Sequence, residues 1–278
     1  MDPIRRHLLK AAGLFVATRA FANDQQATNM QPSSVKPRHV LCFLGKNESL
    51  LQPPKAVAKT IADFGFEIDR TYSQAKPDPR MERSFGVCWD RAFPKAWSAS
   101  DEAAVVNHKS VLYVRSPPID QQKKAPACSA AALVIVDEMF DAGAVAAKGE
   151  SAGVAHGVAR WRSLADQARK GSMTSQGLAM TPAVTKACRL AFAKRPLAGD
   201  RYFETVGHHL VGLPEVYVAK SRGSDRDAVK LMDEIADAMA ERGIEATLQD
   251  RKLTLSREQD YAETDFKFNP YGVIRIEA

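Results

Sequence analysis

The stretch Tyr202 to Lys220, YFETVGHHLVGLPEVYVAK, decides the fold. Tyr202-Phe203 at its start and Val216-Tyr217-Val218 near its end are aromatic and β-branched, the residue types that fit a pleated surface. Gly207, Gly212 and Pro214 punctuate the run between them, so it reads as two short strands joined by a tight connection. A polar helix pattern follows from Ser224 to Arg242. Val229, Met232, Ile235, Ala236 and Met239 fall on its core side; Asp225, Asp227, Asp233, Glu234, Asp237 and Glu241 form a solvated face opposite. Strand-like sequence then runs to the C-terminus.

Upstream, Val184 to Lys194 alternates Cys188, Leu190 and Phe192 and reads as a strand despite its alanines, after a connector from Gly171 to Thr181. Cys128 to Ala142 is a strongly apolar helix, with Ala132, Val136 and Phe140 along one face. Gly143 caps it, Ala144 to Ala147 is a short buried strand, and a second helix pattern runs through Trp161 to about Arg169. Nearer the start, Val40 to Leu44 is an unbroken apolar run closed by Gly45, the pattern of a buried strand. Pro53-Pro54 opens a helix that places Val57, Ala58, Ile61 and Phe64 on one face and ends at Gly65. Phe66 to Tyr72, Ser84 to Asp90 and Val111 to Val114 read as strands, with a loop from Ser73 to Arg83. The order predicts an α+β fold, a mixed sheet with packed helices, over residues 38–278. If the domain has two lobes, their boundary falls at 116–127, around PPIDQQKKAPA.

The segments Gly143-Ala144-Val145-Ala146, Thr205-Val206-Gly207 and Gly212-Leu213-Pro214-Glu215-Val216 carry a resemblance. Over roughly 131–276 the chain resembles an uncharacterised bacterial domain-of-unknown-function family. The resemblance implies a mixed α+β domain and a strand at Val184 to Lys194; it implies no activity.

The chain begins MDPIRRHLLKAAGLFVATRAFAND, in which Arg5-Arg6 before His7-Leu8-Leu9-Lys10 reads as a twin-arginine export signal. Its apolar part, Ala11 to Ala17, is far short of the ~20 residues that span a bilayer. Ala20-Phe21-Ala22 supplies a small-x-small cleavage pattern, so residues 1–22 are expected to be removed and the protein to be periplasmic. Residues 23–37, polar and Pro/Ser-containing, read as a flexible tether. The whole chain carries 39 Lys+Arg against 33 Asp+Glu, a formal net charge of +6. Losing Arg5, Arg6, Lys10, Arg19 and Asp2 would leave +3, with charges interspersed rather than in runs. That pattern excludes a nucleic-acid stripe, and no stretch after the signal suits stable membrane insertion. The partner is expected to be an unknown small molecule or protein.

Three clusters offer chemistry. Gly149-Glu150-Ser151-Ala152-Gly153 fits G-x-S-x-G, the nucleophile elbow, in which small residues let a serine occupy a strained strand-to-helix turn. An esterase-like serine hydrolase would use Ser151 as nucleophile, His208 or His209 as base and an acid such as Asp200. Against this, no oxyanion segment precedes the motif, His156 falls inside the following helix pattern, and Asp200 lies too near the histidine pair. The structural alternative is that the Ser151 hydroxyl caps a helix starting near Val154. His208-His209 would point to opposite faces of a strand, one to solvent and one hydrogen-bonded inside, which does not suit a shared metal ion. Glu215, Asp265 and Asn269 are candidates by residue type alone, Glu215 reading as a cap or partner at a strand end.

Cys42, Cys88, Cys128 and Cys188 are widely spaced in apolar surroundings and read as buried thiols, with two disulfides in any of three connectivities as the alternative in an oxidising compartment. There is no metal-ligand spacing, no G-x-G-x-x-G and no P-loop, so no metal or cofactor is assigned. An exported binding or interaction protein is the first expectation, the serine hydrolase the second.

Overall fold

Val40–Gly45 (β1) lies at the centre of a five-stranded sheet and is buried almost throughout. Its alternate residues serve two different cores, which is why the run is apolar without a break. Leu41 and Phe43 enter the main core; Cys42 and Leu44 enter a smaller one on the opposite face. The structure, a computed structural model, describes residues 36–90, 97–174, 177–178, 180–258 and 260–277. The expected signal, and the tether as far as residue 35, lie outside the described residues. Ser33–Ala278 forms one unit.

In chain order, β1 is followed by helix α1 (Lys55–Asp63), strand β2 (Glu67–Ile68), helices α2 (Met81–Cys88) and α3 (Ala99–Val106), and strand β3 (Ser110–Arg115). Helix α4 (Ala125–Asp141), strands β4 (Ala144–Gly149) and β5 (Val154–His156) and helix α5 (Val158–Ser172) come next. A small hairpin, β6 (Met173–Thr174) and β7 (Gly177–Leu178), leads to helix α6 (Pro182–Phe192). Strands β8 (Lys194–Ala198), β9 (Tyr202–Val206) and β10 (Glu215–Ala219) precede helices α7 (Asp225–Arg242) and α8 (Ile244–Arg251), with β11 (Leu255–Ser256) and β12 (Val273–Ile276) last.

The first sheet has the order β2-β3-β1-β4-β5 and its pairs are antiparallel. The second has the order β11-β12-β10-β9-β8, antiparallel except for the parallel pair β10 and β12. With helices packed on both sheets, the chain is an α+β protein. The opening stretch behaves as its residue types require: β9 and β10 pair antiparallel, and a 3-10 turn, His208–Val211, joins them. The main core draws Phe43 and Leu112 from before residues 116–127 and Leu133 and Val216 from after them.

Several expected elements differ. Ser84 to Asp90 is not a strand; α2 covers Met81–Cys88 and buries Met81, Phe85 and Cys88 at helical spacing against the smaller core. Val184 to Lys194 is likewise mostly helical. Thr181 accepts the Val184 N–H as the N-cap, Pro182 opens α6, and Val184, Ala187, Cys188 and Ala191 line one buried face. Only Glu67–Ile68 of Phe66 to Tyr72 pairs as a strand. Residues 154–156 form β5, so the following helix starts later, at Val158. Helix α3, marked by the capping box of Ser98 and Asp101, has no counterpart in the sequence reading.

Candidate functional site

Glu215 opens β10 at the centre of the second sheet, and its carboxylate is completely buried. A buried charge survives only if its lone pairs are met by donors. Thr205 Oγ1 on β9 donates to Oε2 at 2.6 Å. Gly207 N–H and Asn269 Nδ2 both donate to Oε1 at 3.0 Å, and His209 Nδ1 lies 3.4 Å from the same oxygen. Thr205 Oγ1 in turn accepts the Val216 N–H at 2.8 Å, and Asn269 Nδ2 also reaches the Leu213 carbonyl at 2.9 Å. Asn269 Oδ1 accepts the Tyr271 N–H, which fixes the amide orientation. Burial alone would raise the Glu215 carboxyl; the His209 hydrogen bond, the nearby His208 and the Thr205 hydroxyl outweigh it and take it down to about 2. The uncharged donors act in the same direction by bonding the ionised form.

The histidine pair is not split between solvent and interior. Both rings are buried, because Gly207 and Gly212, at φ 105° and 76°, turn the chain into a 3-10 segment instead of continuing a strand. A side chain at Gly207 would lie 2.6 Å from both the Ala152 methyl and the Phe192 carbonyl, so the turn is seated tightly. His208 Nδ1 donates to the Pro214 carbonyl at 3.0 Å, which leaves Nε2 as the unprotonated nitrogen of the neutral ring. That Nε2 is buried without a hydrogen-bond partner among the described residues. Burial, with the charges of Arg189 and Arg195, lowers the His208 pKa to about 4.

His39, not singled out in the sequence, joins the same cluster. Ser129 Oγ gives its proton to the Leu210 carbonyl at 2.5 Å, so it must accept from His39 Nε2 at 2.8 Å. Burial, and then His209, lower His39 to about 3. The one clue in the sequence is its place immediately before an apolar strand.

A second polar group adjoins it. Arg189 and Arg195 are buried and converge on α7, where Arg195 Nε and Nη2 reach Asp233 at 2.6 and 3.0 Å. Arg189 bonds Asp233 and also reaches Asp237 at 2.7 Å. Asp233 and Asp237 are therefore not part of a solvated face; they hold two buried cations. Burial works to raise the Asp233 carboxyl, and the bonds and charges of Arg195 and Arg189 outweigh it, leaving it below the ordinary value. His156, which ends β5 and does not lie in a helix, donates from Nε2 to the Ala191 carbonyl at 3.0 Å. Its Nδ1 is 3.7 Å from Asp90 Oδ2.

No family model, curated protein or solved structure matches the chain.

Ser151 is engaged elsewhere. The Gly149–Gly153 motif is the turn between two antiparallel strands, β4 and β5, rather than a strand-to-helix elbow. Ser151 Oγ donates to the Arg38 carbonyl at 2.7 Å and accepts the Val40 N–H at 3.0 Å. It pins the entry to β1 and does not cap a helix near Val154. Asp265 accepts the Lys267 N–H within its own loop, while Asn269 is the member of that pair that reaches Glu215.

All four cysteines are free thiols, and burial pushes Cys42 and Cys188 up to about 12, so neither is a ready nucleophile. Among the described residues no group of His, Cys, Asp and Glu is arranged to hold a metal ion.

Proposed function

We propose that this is an exported protein that acts by binding a partner rather than by catalysis. The observation that carries this reading is the fate of the Ser151 proton. A nucleophilic serine gives its proton to a base, whereas Ser151 gives it to the Arg38 carbonyl. The histidines proposed as bases are committed to Pro214 and Glu215 inside the core. Wild-type protein should show no labelling by a fluorophosphonate probe. Ser151→Ala should lose about 1–3 kcal/mol of stability, because the Val40 N–H and Arg38 carbonyl lose their partner. Labelling of the wild type that disappears in Ser151→Ala would restore the hydrolase reading.

Of two concavities among the described residues, the smaller is below the size usual for small-molecule sites and the larger falls within it, so the partner is a protein or a small molecule. One, of about 200 Å³ beside Gly223 and Ser224 at the start of α7, is below the ~300–1,000 Å³ usual for small-molecule sites. Another, of about 410 Å³, opens along Thr181, Lys186, Asp237 and Glu241 between α6 and α7. The likeness over 131–276 to an uncharacterised bacterial family belongs to this proposal and adds no activity.

Export by the twin-arginine route, with cleavage after Ala22 and a periplasmic destination, rests on Arg5-Arg6 and Ala20-Phe21-Ala22. Arg5→Lys combined with Arg6→Lys should hold the precursor in the cytoplasm. Fractionation that finds the double variant exported at the wild-type level would remove the export proposal and leave the binding reading to its own test.

A further inference from the structure

We propose that His208 is an acid-operated latch on the turn between β9 and β10, holding it down while its ring is neutral and releasing it when the ring takes up a proton. The turn is a hinged element by construction. Gly207 and Gly212 bracket it in left-handed conformations; Gly207 and His209 are bonded to Glu215 and Leu213 to Asn269, and three further bonds hold it down. His208 Nδ1 is bonded to Pro214, the Leu210 carbonyl to Ser129, and the Gly212 carbonyl to Gln122 Nε2 at 2.8 Å. The segment carries Leu210, Val211 and Leu213 into the main core.

The position of Nε2 makes the ring a trigger. A proton there would become an N–H donor with no acceptor among the described residues, in a place with no exposure to solvent. The groups facing His208 would not welcome the charge. Arg189 from α6 and Arg195 from β8 are cations, already committed to Asp233 and Asp237 of α7. Glu215 from β10 is an anion, with Oε2 4.0 Å from His208 Nδ1, on the side of the ring that already carries a proton. Its oxygens accept from Thr205, Gly207, Asn269 and His209. Beside it on the turn, His209 competes for the same carboxylate, and His39, ahead of β1, adds its own repulsion to His209. Hydrating the new cation therefore requires the turn to swing out about its glycines, exposing Leu210, Val211 and Leu213.

Hydrogen exchange on the full-length protein tests this, with rates corrected for the intrinsic effect of pH. With a ring that protonates at about 4 in place and near 6.5 when released, the opening equilibrium at pH 5 should exceed that at pH 7 roughly 20-fold. The amides of Leu210, Gly212 and Leu213, which bond within the turn and its neighbours, should accelerate by that factor while those of β1 and β3 do not. His208→Asn, whose amide can still donate to Pro214, should abolish the acceleration. Equal acceleration in His208→Asn, unchanged turn amides in the wild type, or acceleration of β1 and β3 in step with the turn would each overturn the proposal. If that variant does not fold, the His208 ring resonances of the wild type decide. A ring still neutral at a pH where the turn has opened would refute the latch.

Discussion

Glu215→Gln should cost about 1–3 kcal/mol, the range for leaving a buried hydrogen-bonding group unsatisfied. Four donors converge on the Glu215 carboxylate: Thr205 Oγ1, Gly207 N, Asn269 Nδ2 and His209 Nδ1. A glutamine of nearly the same shape offers one oxygen and an NH2 that must face donors, so at least one strong bond is lost and a donor–donor contact replaces it. Urea unfolding at pH 7 should show a lower midpoint with an unchanged slope. A loss under 1 kcal/mol would mean that the cluster is incidental to the fold. The pH dependence has a defined sign. The folded carboxyl titrates at about 2 against an ordinary 4.5, so its contribution is complete above pH 4.5 and drains away as pH falls towards 2. The glutamine variant lacks that leg of the acid transition.

Asp233→Ala should cost more, about 3–5 kcal/mol, for a different reason. The carboxylate compensates two guanidinium groups that are 1% and 2% exposed, and Arg195 has it as a bidentate partner. Removing it leaves cationic charge in the core, whereas Asp237→Ala leaves Arg189 still bonded to Asp233. Lys186, the other partner of Asp237, is half exposed and gains little from its pair. Thermal and chemical melts of the two variants should therefore differ clearly, with the Asp237 variant the more stable. Equal losses would show that the two carboxylates share the load.

What the sequence made legible follows the physics of local signals. The strands of Tyr202 to Lys220 are legible by residue type, and α7 by its apolar face. Helix α6 reads as a strand in the sequence because Ala187 through Phe192 are all buried. A helix enclosed on every side in its last turns loses the periodicity that separates it from a strand. The burial of both histidines depends on Gly207 and Gly212 adopting positive φ, which residue type alone does not dictate. Glu215 and Asn269 are candidates by type, but 54 positions separate them. Only the parallel pairing of β10 with β12, which no local pattern encodes, brings the Asn269 loop back to Glu215. Asp233 and Asp237 looked like surface charges because their arginine partners lie on other elements.

Strand β1 offers a lesson about slippage. A strand with one polar face cannot shift by a residue without exposing its core side, but β1 is apolar on both faces, so alternation alone gives no reason to prefer one frame over the next. The frame is set at the ends. At the entry, the Ser151 hydroxyl clasps Arg38 and Val40 from the β4–β5 turn. At the exit, Gly45 sits where any side chain would come within 2.5 Å of Ser110 Oγ and 2.8 Å of Leu50, so no larger residue of the strand can move into its place. The serine of a nucleophile-like motif thus works as one of two stops that index a strand whose own sequence does not say where it should halt.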